Sequence, residues 1–239
     1  MKFLALILVA AIVSAALLVS PTAGAAETPD PWGKDWEDVI SVLTGTGPTI
    51  PSRIRPSKAS PINASAAKAL AENKSVKLVN ASKYGRPLLS KGVWLEYPRI
   101  NVAVAPMRSR VSKPGGFPRR EIHNAMLLLK RRPTDDPCVL IATFSVAQAS
   151  SSARVQESVT FSTARGTPFL SVKKSGKRLV LERLAKGATF TGAPCLQADG
   201  GIGDCINDTD VPDIWEPPCE FFWLPCAAVT VAKCIGDHW

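Results

Sequence analysis

Two histidines, His123 and His238, are all that this 239-residue chain offers for proton transfer near neutral pH. His123 stands beside Asn124 in a strand-like stretch and reads as a structural or surface residue rather than a general base. The chain also lacks a G-x-S-x-G elbow, an H-E-x-x-H pair and a P-loop, so the signatures of serine hydrolases, zinc peptidases and P-loop nucleotide enzymes are missing. No cysteine carries the local pattern of a papain-like nucleophile. Glu96, Glu121, Glu157 and Glu182 are scattered, and no spacing among them selects an acid–base pair. The expectation is a protein that is not an enzyme, with no catalytic residues.

Metal ligands are equally ill-arranged. Cys219, Cys226 and Cys234-x-x-x-His238 suffice for zinc by count, yet the cysteines are spaced more widely than paired zinc knuckles. The acidic stretch from Asp199 to Asp213 offers hard oxygen ligands, but it lacks the ordered acids, placed glycine and closing glutamate of a calcium-binding EF-hand. No metal and no cofactor are expected. Nucleic acid is not expected either. Arg108-Ser-Arg110, Arg119-Arg120, Lys130-Arg131-Arg132 and Lys173-Lys174 are dispersed, with neither a recognition-helix pattern nor an RNA-binding aromatic motif.

The one long apolar run is at the start. Met1-Lys2 precedes an uninterrupted run from Phe3 to Val19, then Pro21 and the small residues Ala23-Gly24-Ala25-Ala26. That order is a secretory signal with cleavage after Ala25 or Ala26, an uncleaved anchor being the rival reading. The expected location is secreted, extracellular or periplasmic. Four N-x-S/T triplets, at Asn63, Asn73, Asn80 and Asn207, would be glycosylation sites only in a eukaryotic pathway, and so short a motif arises often by chance.

Cysteine is almost absent from residues 27–190, where Cys138 stands alone, while Cys195, Cys205, Cys219, Cys226 and Cys234 crowd the end. In an oxidising compartment this pattern reads as a disulfide framework whose connectivity the sequence leaves open. The five tail cysteines are an odd number, so Cys138 either reaches across to the tail or leaves one tail cysteine free or paired between chains. Charge divides the chain at the same place. Residues 191–239 hold one base, Lys233, against eight acids, a balance of −7, so the remainder carries +16 of the total of +9. Acidic tail and basic body are therefore expected to attract each other.

Apolar spacing predicts a helix over Trp32–Leu43, through Trp36, Val39, Ile40 and Leu43, and a second over Ala64–Asn73. Pro48–Pro61 is aperiodic and reads as a linker or extended crossing. From Val93 the period changes to two, with strands at Ile100–Ala105, Ile122–Lys130, Val139–Ala147 and Val155–Ser162. A hairpin follows, Pro168–Lys173 and Arg178–Arg183, turning at Ser175-Gly176. The expected class is α+β: N-terminal helices, an antiparallel meander of about five or six strands, and a small disulfide-rich C-terminal module. The segments are 1–25 (signal), 26–62 (helix and Pro/Ser-rich linker), 63–190 (basic α+β domain) and 191–239 (acidic cysteine-rich module). In the last, Cys226–Ile235 suits a short helix, and Trp215, Phe221, Phe222, Trp223 and Leu224 form an apolar group fit for a membrane, a partner or the module's own core.

This order of signal segment, cysteine-poor body through Leu184, and tail with Cys195, Cys205, Cys219, Cys226 and Cys234 resembles the precursors of halocin-like, cysteine-rich bacteriocins. The resemblance implies an antimicrobial C-terminal peptide and an immunity-like body that holds it inactive until proteolysis. The alternative is a secreted binding or structural protein that keeps its C-terminal module, fixed through Cys138, and whose basic face binds an anionic envelope component or polysaccharide.

Overall fold

The change to period two near Val93 has a direct structural counterpart, a sheet that strings consecutive strands side by side. The computed structural model describes residues 34–44, 55–111, 117–175, 178–183 and 223–238. The chain divides into two units, Met1–Asp30 and Pro31–Trp239, and every described residue belongs to the second. The elements are α1 (Lys34–Thr44), β1 (Lys58–Pro61), α2 (Ala64–Glu72), α3 (Lys74–Lys77), α4 (Ala81–Tyr84), a 3-10 turn at Leu89–Lys91, β2 (Val93–Glu96), β3 (Asn101–Val111), β4 (Arg119–Lys130), β5 (Cys138–Gln148), β6 (Gln156–Thr163), β7 (Pro168–Ser175), β8 (Arg178–Arg183) and α5 (Trp223–His238).

The eight strands form one antiparallel meander in sequence order, β1 to β8. The α+β class and the meander are as expected, but the described residues form eight strands rather than five or six. The additional pair is β1, inside the stretch read as a linker, and the four-residue β2. β1 is short, ends in Pro61 and bonds to one neighbour, the habit of an edge strand. It has no apolar alternation to betray it.

Helices lie on both faces of the sheet, and the pleat decides which residues meet them. One face gathers Leu95, Val102, Val104, Leu127, Leu129, Cys138, Leu140, Phe144, Val159, Phe161 and Val172 with Trp36, Val39 and Leu43 of α1 and Cys226–Ile235 of α5. The other gathers Ala103, Ala105, Met107, Met126, Leu128, Val139 and Ile141 with Leu70, Val76, Val79, Tyr84 and Leu89 from α2 to the 3-10 turn. The core therefore runs across the expected boundaries at 62/63 and 190/191. α1 is pinned further by its Trp36 indole N–H, which donates to the Lys91 carbonyl at 2.8 Å. Tyr97 is buried in this core, and burial pushes its hydroxyl above the usual phenol range.

Two departures from regular sheet have identifiable causes. Pro106 lies within β3, where a missing N–H would normally break a ladder. Its carbonyl accepts from Leu88 N–H at 2.9 Å, on the side where β2 has ended, so no strand neighbour is deprived of a donor. Just beyond it, the β3–β4 register slips by one residue between Pro106 and Ser109, a bulge that bends the strand.

The N-x-S/T asparagines acquire a structural role. Asn63 Oδ1 accepts from Ala66 N–H (2.8 Å), Asn73 Oδ1 from Ser75 N–H (2.9 Å) and Asn80 Oδ1 from Lys83 N–H (3.1 Å). Each caps the next short helix, satisfying donors that a helix start leaves open. Asn207 lies outside the described residues.

α5 is longer than the expected Cys226–Ile235 helix, and its middle is buried. Every residue from Cys226 to Ile235 is buried except Lys233, which is half-buried. Pro225 falls in its first turn, where the missing N–H costs nothing. Thr230 is the polar exception within the buried run, and its hydroxyl oxygen has no hydrogen-bond partner among the described residues. Thr230→Val keeps the shape and removes a desolvated hydroxyl. It is expected to leave stability unchanged or raise it by up to about 1 kcal/mol, read from the denaturant midpoint at constant slope. A loss of comparable size would mean that the hydroxyl is bonded.

Candidate functional site

Contacts around Tyr84 bring together the segments that carry four basic residues. α4 carries Lys83 and ends at Gly85, whose φ of +82° suits glycine. A side chain is excluded there for a second reason, because a Cβ on Gly85 would lie 2.4 Å from Arg108 Cβ. Arg86 follows directly in sequence. On the other side, the β6–β7 turn holds Arg165 and Gly166, with φ of +94°, and a Cβ on Gly166 would lie 3.3 Å from the Tyr84 hydroxyl. Asn80 N–H donates to the Ala164 carbonyl at 3.2 Å and Lys83 Nζ to the Gly166 carbonyl at 3.3 Å, clamping the turn to α4. The described residues have positive φ only at these two glycines, and each stands next to an arginine in sequence.

Lys83, Arg86, Arg108 and Arg165 are all exposed. Among the described residues none of them forms an ion pair. Other cations differ: Lys58 lies 3.6 Å from Glu96, Lys173 2.6 Å from Glu182 and Lys174 4.0 Å from Glu157. Exposed like charges on adjoining segments, without a counter-ion, favour an anion from outside. The sequence shows the charges but not their convergence, which depends on the β3 bulge and the β6–β7 turn reaching the same helix. The Gly85 and Gly166 positions beside arginines were the available signal.

The opposite sheet face carries the groups considered for catalysis. His123 Nε2 is 4.0 Å from Glu121 Oε2, with side chains 12% and 19% exposed, so His123 is neither a surface residue nor fully buried. Glu121 and Glu157 stand opposite Val146 on its two flanking strands, and the pleat puts all three on one face. The fold thus unites two of the four scattered carboxylates, each beside its own base, His123 or Lys174. The neighbouring serines are turned away. Ser145 and Ser158 pair with each other and with the Ile122 register position, one residue out of phase with His123, so alternation directs them to the other face. Glu96 and Glu182 lie on β2 and β8. No group of three or more His, Cys, Asp or Glu suited to a metal occurs among the described residues.

Of the six cysteines, Cys138 opens β5, and Cys226 and Cys234 lie on α5. All three are buried, and each is disulfide-bonded. Cys195, Cys205 and Cys219 lie outside the described residues, as do Trp215, Phe221, Phe222, His238's side chain and the acidic stretch from Asp199 to Asp213. Trp223 and Leu224 open α5. From Cys226 to Ile235 that helix is packed inside the protein, against β4 and β6 among others, so this stretch presents no apolar face to a bilayer. No helix among the described residues is long and apolar enough to cross a membrane. Compared with known protein families, curated proteins and solved structures, the chain gives no match.

Proposed function

We propose that the protein is an exported, non-catalytic binding protein that keeps its C-terminal segment, and that its basic body engages an anionic component outside the cell. The observation that carries this reading is the burial of Cys226–Ile235 in the same core as the sheet. A peptide made for release needs a surface of its own and leaves an intact body behind. Here, peeling α5 away would uncover β4 and β6, against which it packs, with core residues such as Leu127 and Phe161.

Covalent chemistry supports retention as well. Cys138 is disulfide-bonded, and the other five cysteines all follow residue 190. Within one chain its partner is therefore a tail cysteine, and a single proteolytic cut ahead of Cys195 would leave the tail tethered. The finer expectation of a stapled acidic module over residues 191–239 belongs to this reading, with Cys226 and Cys234 as its anchors on α5. The halocin-like precursor reading keeps the body–tail contact but requires release.

The mass of the secreted, non-reduced product tests the choice. The expected species begins near Ala26 and ends at Trp239. A separate secreted fragment covering the acidic tail would overturn retention.

A further inference from the structure

We propose that Lys83, Arg86, Arg108 and Arg165 form the binding site for an acidic polysaccharide, recognised through its sulfate or carboxylate groups. This rests on the binding reading above and gives it a place on the molecule. Three guanidinium groups offer planar forks that meet a sulfate or carboxylate two bonds at a time. The anchoring is rigid because Gly85 lets α4 close on the Arg108 backbone and hydrogen bonds from Asn80 and Lys83 hold the β6–β7 turn, so little ordering is needed on binding.

The segment that carries Lys83 and Arg86 is basic along its length. Residues 63–92 carry Lys68, Lys74, Lys77, Lys83, Arg86 and Lys91 against the single acid Glu72, a balance of +5, and all six bases are exposed. A repeating anion matches so many exposed bases better than an isolated one. Nucleic acid fits less well, since it is bound in single strands through aromatic platforms as well as charge. The nearest ring, Tyr84, is 4% exposed with Lys83 Nζ 5.0 Å from its centroid, and α4, only four residues long, is no recognition helix.

The test uses the full-length oxidised protein and immobilised dextran sulfate, polygalacturonate, neutral dextran and single-stranded DNA at low and moderate salt. The triple variant Arg86→Gln/Arg108→Gln/Arg165→Gln is compared with Arg131→Gln/Arg132→Gln/Arg154→Gln, which removes the same charge from exposed turns elsewhere. The expected result is salt-sensitive binding to one or both acidic polysaccharides, weakened about tenfold or more by the first triple and less than about twofold by the second. Equal losses in the two triples, tighter capture of DNA than of either polysaccharide, or no binding at low salt would overturn the site. A chain that ends at Trp239 yet ignores both polymers fails here alone, whereas a released tail fails the retention reading whatever the polymers do.

Discussion

A chain ended after Arg183 is expected not to fold. The truncation removes α5, and with it Val229, Val231 and Ile235, all at most 2% exposed, together with the alanines between them. Burial of those three larger side chains alone is worth about 5–9 kcal/mol at 1.5–3 kcal/mol each. Whole domains are stable by only about 5–15 kcal/mol. The sheet also loses cover over β4 and β6, whose Leu127, Leu129 and Phe161 are completely buried. The truncated protein should therefore be aggregated or molten, with weak near-ultraviolet dichroism and no cooperative denaturant transition. Adding the oxidised tail in trans should not restore it readily, because folding and docking would have to occur together.

The outcome separates the two readings of the chain. A truncated body that unfolds cooperatively, with a midpoint near that of the full protein, would fit an immunity-like partner holding a detachable peptide. Collapse would fit a retained segment. A milder variant guards against the objection that any large deletion is disruptive. Ala232 is completely buried, and Ala232→Asp places a carboxylate there with no provision for it, which should cost more than about 3 kcal/mol. Lys233→Asp, one residue along on the half-buried side, should cost less.

Periodic parts of this architecture were legible in the residues. Trp36, Val39, Ile40 and Leu43 mark α1, and the expected hairpin ranges match β7 and β8 to within two residues at each end. β5 and β6 were legible for the same reason, since long strands carry enough apolar residues to declare a period. What escaped was whatever depended on neighbours. β1, Lys-Ala-Ser-Pro, is a strand because Ala59, Ser60 and Pro61 pair with Leu95, Trp94 and Val93, not because of any pattern of its own. The three asparagine caps looked like sequons because the same Asn-x-Ser spelling serves both purposes.

The C-terminal helix was undervalued for a different reason. Cysteine spacing and acidic charge drew a boundary at residue 190, yet a run as apolar as Cys226–Val231, with Thr230 its one polar residue, has no polar face for solvent and suits a buried helix. The candidate site was legible only as charge. Residues 63–92 are visibly basic, but Arg108 and Arg165 join them through a strand bulge and a turn far away in sequence.

Cys138→Ala is the second substitution expected to have a large effect. Any cysteine of the tail that bonds to Cys138 closes a loop of 57 to 96 residues. In the chain-entropy treatment the stabilisation grows only with the logarithm of that length, so every partner gives about 4–5 kcal/mol. Removing the Sγ atom from a position that is 0% exposed adds a small packing loss. The expected signature is a lower denaturant midpoint in non-reducing buffer and one new free thiol by alkylation and mass spectrometry. Mild reductant should destabilise the parent protein at least as much while changing the variant less. The tail should also become separable: one proteolytic cut between residues 184 and 194, ahead of every tail cysteine, leaves the parent a single species on a non-reducing gel and divides the variant into two. If the parent also divides, Cys138 does not tether the tail, and retention would rest on the packing of α5 alone.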